Sequence, residues 1–182
     1  PGEPPVGFAL LPENRASLAG AVPWATSLGA RTAALLFRDD PFSRQAAEGA
    51  REAAEGLGLA VLWDRSFTRA AQIWEVALEF QARAHGGATE GGEPAAGRRV
   101  DLFADLLLGG GYQAGTGASG FLPDAREIAA AFAGKVRWMA LLVAPTFPEF
   151  LAALGPQAEG IVGNTLWKPW FGWPGNALFV SA

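Results

Sequence analysis

Apolar positions along the chain fall into short runs that alternate with helical repeats, and this alternation predicts the elements. The run Thr32-Ala-Ala-Leu-Leu-Phe-Arg38 has the length of one buried strand. It passes through Asp39-Asp40 into Pro41, after which Phe42, Ala46, Gly49/Ala50, Ala53 and Leu57 recur at helical spacing. Asp40 suits the cap of that helix because its carboxylate can accept from free first-turn N–H groups. Pro41 suits the first helical position, where no N–H is needed, and Gly58 ends the helix. On its outer side Arg44/Glu48, Glu48/Arg51 and Arg51/Glu55 have the spacing of opposite-charge pairs.

The alternation continues to the end of the chain. Leu59 to Trp63 is a second strand, and Ala70 to Ala84 a second helix with Ile73, Val76/Ala77, Phe80 and Ala84 on one face. The apolar run from Val100 carries a third strand over Leu102 to Leu108, and a third helix follows from Pro123 to about Phe132. Val136 to Val143 is a fourth strand, after which Thr146-Phe-Pro-Glu149 has the spacing of a capping box opening a short helix to Leu154. Ile161 to Leu166 supplies a fifth strand. Ahead of the first strand, Ser17 to Leu28 reads as a helix in which Pro23 marks a kink or a later start. Repeated strand-helix units predict an α/β fold: a three-layer αβα sandwich on a five-stranded, mainly parallel sheet.

Three segments lack this periodicity. Residues 1–16 are proline-rich and read as a lead-in, with Val6 to Leu11 apolar enough for a short added strand. Residues 85–99 are glycine-rich and are expected to form a flexible surface insertion within a domain running from 17 to 168. Residues 169–182 continue an aromatic, proline-rich stretch expected to cross over other structure; Trp167, Trp170 and Trp173 are three of the chain's seven tryptophans.

Composition narrows the function classes. With 182 residues, half of them apolar, the chain can bury a substantial core as one domain. No apolar run approaches the roughly 18 residues that a membrane span requires. A formal charge of -4 argues against a nucleic-acid partner. Without cysteine there is no thiolate metal site or cysteine nucleophile, and with one histidine, His85, no multi-histidine metal cluster. His85 follows a helical pattern and reads as a last-turn residue interacting with the dipole. The opening Pro1-Gly-Glu-Pro-Pro lacks a leader's basic and apolar segments, as expected of a domain excised from a longer chain.

In a parallel sheet, ligands collect at the carboxyl ends of strands. The candidate ligand-binding residues are therefore Asp40 and Phe42 after the first strand, Gly111 and Tyr112 after the third, Pro145, Thr146 and Phe147 after the fourth, and Trp167 after the fifth. Aromatic walls, backbone N–H groups at helix starts and close-approach glycines suit a small ligand with a polar head. Two enzymatic readings compete. Gly115-Thr-Gly-Ala-Ser-Gly120 matches the dinucleotide fingerprint, but it follows the third strand, six residues late, without a ribose-holding acid after the next strand. Asp39-Asp40, Thr146 and Lys168-Pro169 resemble a phosphorylated receiver site, yet Gly109 stands where the phosphoacceptor aspartate should end the third strand. No metal or cofactor is expected. A degenerate lobe kept for protein contacts is a third option.

Several segments, in order, resemble a known family: Gly29 to Ser43, Ala47 to Gly58, Leu107-Leu-Gly-Gly-Gly-Tyr112 and Leu154 to Gly163. Over about Leu28 to Lys168 the chain resembles the type I periplasmic-binding proteins, in the branch of leucine/isoleucine/valine-binding receptors of ABC transporters. The resemblance implies a non-enzymatic second lobe that closes with a first lobe over an amino acid or related solute, with residues 1–16 leading toward a hinge. It implies Phe42 and Tyr112 as the ligand-packing aromatics. Ala144-Pro-Thr-Phe147 lacks the acid that would grip a ligand's amino group. It further implies a periplasmic or extracellular setting, with transporter membrane subunits or a receptor signalling domain as partners.

Overall fold

The computed structural model describes residues 14–86, 104–113 and 117–164. Residues 1–13 of the lead-in with its short strand, Trp167 and the tail, and residues 87–99 of the insertion lie outside the described residues. Five strands form one sheet: β1 (Thr32–Arg38), β2 (Ala60–Phe67), β3 (Ala104–Gly110), β4 (Val136–Leu141) and β5 (Ile161–Gly163), ordered β2-β1-β3-β4-β5. All four pairings are parallel, so the sheet is wholly and not merely mainly parallel. The helices are α1 (Ala16–Ala19), α2 (Ala21–Ser27), α3 (Pro41–Gly56), α4 (Gln72–Gly86), α5 (Leu122–Phe132) and α6 (Pro148–Leu154).

Side chains alternate across each strand and feed two cores. Ala34 and Leu36 of β1 and Leu107 of β3 join Ile73, Phe80, Ile128, Phe132 and Phe150 on the face covered by α4, α5 and α6. Ala33 and Leu35, with Leu106 and Leu108, join Leu18, Val22, Ala46 and Ala50 beneath α1, α2 and α3. The expected three layers are therefore present.

Several boundaries differ from those read in the sequence, each for a local reason. The helix expected over 17–28 breaks at Gly20, which leaves Pro23 in the first turn of α2, where its missing N–H costs nothing. Strand β2 continues past Trp63 to Phe67, since an edge strand tolerates Asp64 and Arg65 while Phe67 is still buried. Helix α4 continues through His85 and Gly86, so the insertion cannot begin at 85. In α3 the expected pairings along the helix give way to partners on other elements: Glu48 takes Arg15 at 2.9 Å, Arg44 takes Asp39 and Arg51 takes Asp64. The capping box at Thr146 does not form. Phe147 is the cap residue of α6, and the Thr146 hydroxyl donates back to the Val143 carbonyl at 2.7 Å.

Candidate functional site

The chain turns from strand to helix at the carboxyl end of β1, and the expected cap is in place. The Asp40 carboxylate accepts from the Ser43 N–H at 3.0 Å, with Pro41 at the first helical position. Asp39 pairs with Arg44 one turn into α3. Beside this turn lies a cleft of about 550 Å³ bounded by Arg38, Asp39 and Asp40 on one side, Thr68 to Ala70 on another, and Tyr112 and Gln113 on the third.

The floor of the cleft is an ion pair. Arg38 donates through Nε to Asp124 Oδ2 at 2.5 Å and through Nη2 to Asp124 Oδ1 at 2.6 Å, while Nη1 donates to the Thr68 carbonyl at 2.6 Å. Asp124 is fully buried and Arg38 is only 16% exposed, its guanidinium lying 5.4 Å from the Phe67 ring centre. The hydrogen bond with Asp124 raises the Arg38 pKa, although burial pulls it down. This bidentate geometry is the strong form of a carboxylate pair.

The pair explains Gly111, expected to touch ligand. A side chain there would place its Cβ 2.5 Å from both Arg38 Cβ and Asp124 Oδ2, so the protein's own pair already takes that space. Gly109 is tight for a similar reason, with the Leu36 carbonyl oxygen 2.5 Å from where a Cβ would sit. These glycines allow β1, β3 and α5 to approach one another closely.

Tyr112 emerges from this packed floor. Its ring lies 6.4 Å from Phe42 and 4.9 Å from Phe121, and Phe42 and Phe121 are 5.8 Å apart, giving an aromatic trio from three separate segments. Asp40 and Tyr112 thus line the cleft, and Phe42 backs Tyr112. Pro145, Thr146 and Phe147 stand on the same rim but at the end of β4, outside the cleft lining. There Val143 adopts a φ of 39°, its N–H donating to Asn164 Oδ1 at 2.9 Å, and Pro145 lies against Gly163.

Besides the Arg38–Asp124 floor, two contributors to this rim were not expected from the sequence. Phe121 ends a 3-10 turn over Gly117–Phe121, where glycines dominate the local pattern. Arg69 lies on the rim because β2 runs four residues past Trp63, and the Gln72 side chain fixes its turn by accepting from the Thr68 and Arg69 N–H groups at 2.8 and 3.0 Å. The part of the glycine fingerprint from Gly117 to Gly120 lies in this same turn, its first two residues falling outside the described residues, and the Asp39-Asp40 pair meets Arg44 and the helix cap. No group of His, Asp or Glu able to hold a metal occurs among the described residues.

This architecture is that of one lobe of the periplasmic-binding-protein-like I fold. The leucine-, isoleucine-, valine-, threonine- and alanine-binding protein of Brucella ovis, in its closed conformation, is similar over 96% of this chain and 39% of its own, with a TM-score of 0.62 and 13% identity. An ABC transporter solute-binding protein of R. palustris in complex with 4-hydroxybenzoate is similar over 92% of this chain and 40% of its own (TM-score 0.59, 16% identity). An extracellular ligand-binding receptor of Verminephrobacter eiseniae covers 85% of this chain with 37% of its own (TM-score 0.56, 17% identity). The chain therefore spans about two fifths of the length of the structures it resembles. No family model matches the sequence, and no curated protein is similar to it in sequence.

Proposed function

We propose that the chain is the second lobe of an extracytoplasmic solute-binding receptor, without enzymatic activity, which closes with a first lobe over a small polar ligand such as an amino acid or a related solute. The observation that carries this reading is the cleft at the carboxyl ends of β1 and β3, with Tyr112, backed by Phe42 and Phe121, beside a polar floor. Parallel sheets hold ligands at this end, and an aromatic wall next to a few polar groups is the usual make-up of a small-molecule site. The receptor and solute-binding structures with the same lobe support it. Membrane subunits of an ABC transporter, or a receptor signalling domain, are the partners such a lobe would serve. No helix among the described residues is long and apolar enough to cross a membrane.

Calorimetric titration of the chain with amino acids, small amides and simple organic acids tests the reading, with NAD(H) and acetyl phosphate as rivals. Weak saturable binding of one solute class, about millimolar for a half-built cleft, is expected. Binding of NAD(H) or metal-dependent phosphorylation by acetyl phosphate, with no heat from any solute, would overturn it.

A further inference from the structure

The side chains around the cleft divide by whether their hydrogen-bonding capacity is already used. Every acid there is either ion-paired or buried. Asp39 is paired with Arg44 through Oδ1, Asp124 is buried beneath Arg38, and Asp40 accepts the Ser43 N–H through Oδ1 while its Oδ2, which has no hydrogen-bond partner among the described residues, is buried away from the cleft surface. The donors are not. The Arg69 guanidinium has no partner among the described residues, and its backbone is held by Gln72, so the side chain projects from a fixed turn. Arg38 uses three of the five N–H groups of a guanidinium, and Tyr112 presents a hydroxyl with no hydrogen bond among the described residues.

We propose that this half-site selects a small carboxylate that carries no ammonium group, seating the carboxylate on Arg69 and the apolar body against Tyr112. The inference rests on the solute-binding reading above and names its ligand class. An α-amino acid would bring a cation to a surface whose acids are ion-paired or buried, beside an arginine that repels it. Its deaminated counterpart brings only the group that the free guanidinium can hold.

Matched pairs of ligands isolate that one difference. Tyr112 is the chain's only tyrosine, so ring-labelled tyrosine gives a single set of NMR signals at the site. The 182-residue chain would be titrated with 3-phenylpropanoate against L-phenylalanine, and with 4-methylpentanoate against L-leucine. Phenethylamine and inorganic phosphate complete the probes. The acids are expected to shift the Tyr112 signals saturably and to bind about tenfold or more tightly than the amino acids, with phenethylamine silent. Arg69→Gln, at an exposed position, should weaken acid binding about fivefold or more while leaving the apo spectrum unchanged. Amino acids binding as well as their acids would overturn this inference and leave the solute-binding reading intact. So would phosphate outcompeting both acids, or an Arg69→Gln variant that binds them normally. Silence from every probe would overturn both readings.

Discussion

Asp124 is the residue on which the rim most depends, because it is a fully buried carboxylate whose charge is met by one guanidinium at two points. Removing one partner of such a pair strands the other in a poorly solvated place, which costs about 3–5 kcal/mol. Asp124→Asn should lower the urea midpoint accordingly with an unchanged slope, and Asp124→Leu combined with Arg38→Met should recover much of the loss. The Arg38 pKa is raised, so this stabilisation is fully present below the ordinary arginine value and is lost only as pH rises through the raised one. Seen from Arg38, the deficit of the Asn variant should not change between about pH 6 and 9; a deficit that shrinks across that window would show that another group carries it. Asp40→Ala is the contrasting case. It removes one cap bond to Ser43, so a loss of about 0.5–2 kcal/mol by thermal or urea unfolding is expected.

Helix α3 shows how one residue type has opposite effects within an element. A Cβ at Gly49 would lie 2.0 Å from the Arg15 carbonyl oxygen, just before α1, whereas a Cβ at Gly56 would meet nothing within 4 Å. Alanine improves helix propensity by about 1 kcal/mol at either position, but at Gly49 the backbone of a neighbouring segment stands in the way. Gly56→Ala should therefore stabilise by roughly 0.5–1 kcal/mol. Gly49→Ala should destabilise by about 1–3 kcal/mol, with faster amide exchange confined first to α1 and α2. The helix itself was legible in the sequence, because Asp40-Pro41, the repeat of small apolar residues and Gly58 all act locally. Its partners were not. Arg15, Asp39 and Asp64 take the charges that the spacing assigned to neighbours on the helix, and an exposed pair along a helix contributes too little to resist a partner from another element. The ion pair on the floor of the cleft was hidden for the same reason. Arg38 and Asp124 lie 86 residues apart, and Asp124 has the sequence signature of an ordinary first-turn acid.

Across the whole molecule, the parallel order puts every strand's carboxyl end on one rim and every connection back to a strand start on the other. Helix α4 leaves the rim after β2 and ends at Gly86, and β3 begins at Ala104, so residues 87–103 join two points at the end of the sheet away from the cleft. The layers were readable from sequence because strands buried on both faces appear as unbroken apolar runs between helical repeats. The cleft was readable only in outline, since Arg69 reaches the rim through a strand end that polar residues disguise. If the glycine-rich segment is the flexible insertion that its composition suggests, its length affects only the entropy of closing the connection, at about 0.6 kcal/mol per doubling. Deleting residues 88–99 should then leave unfolding free energy unchanged or raise it by up to about 1 kcal/mol. The Tyr112 signals and their response to 3-phenylpropanoate should be the same as in the full chain. A loss of more than about 2 kcal/mol would show that these residues pack on the lobe, because loop entropy cannot supply a penalty of that sign.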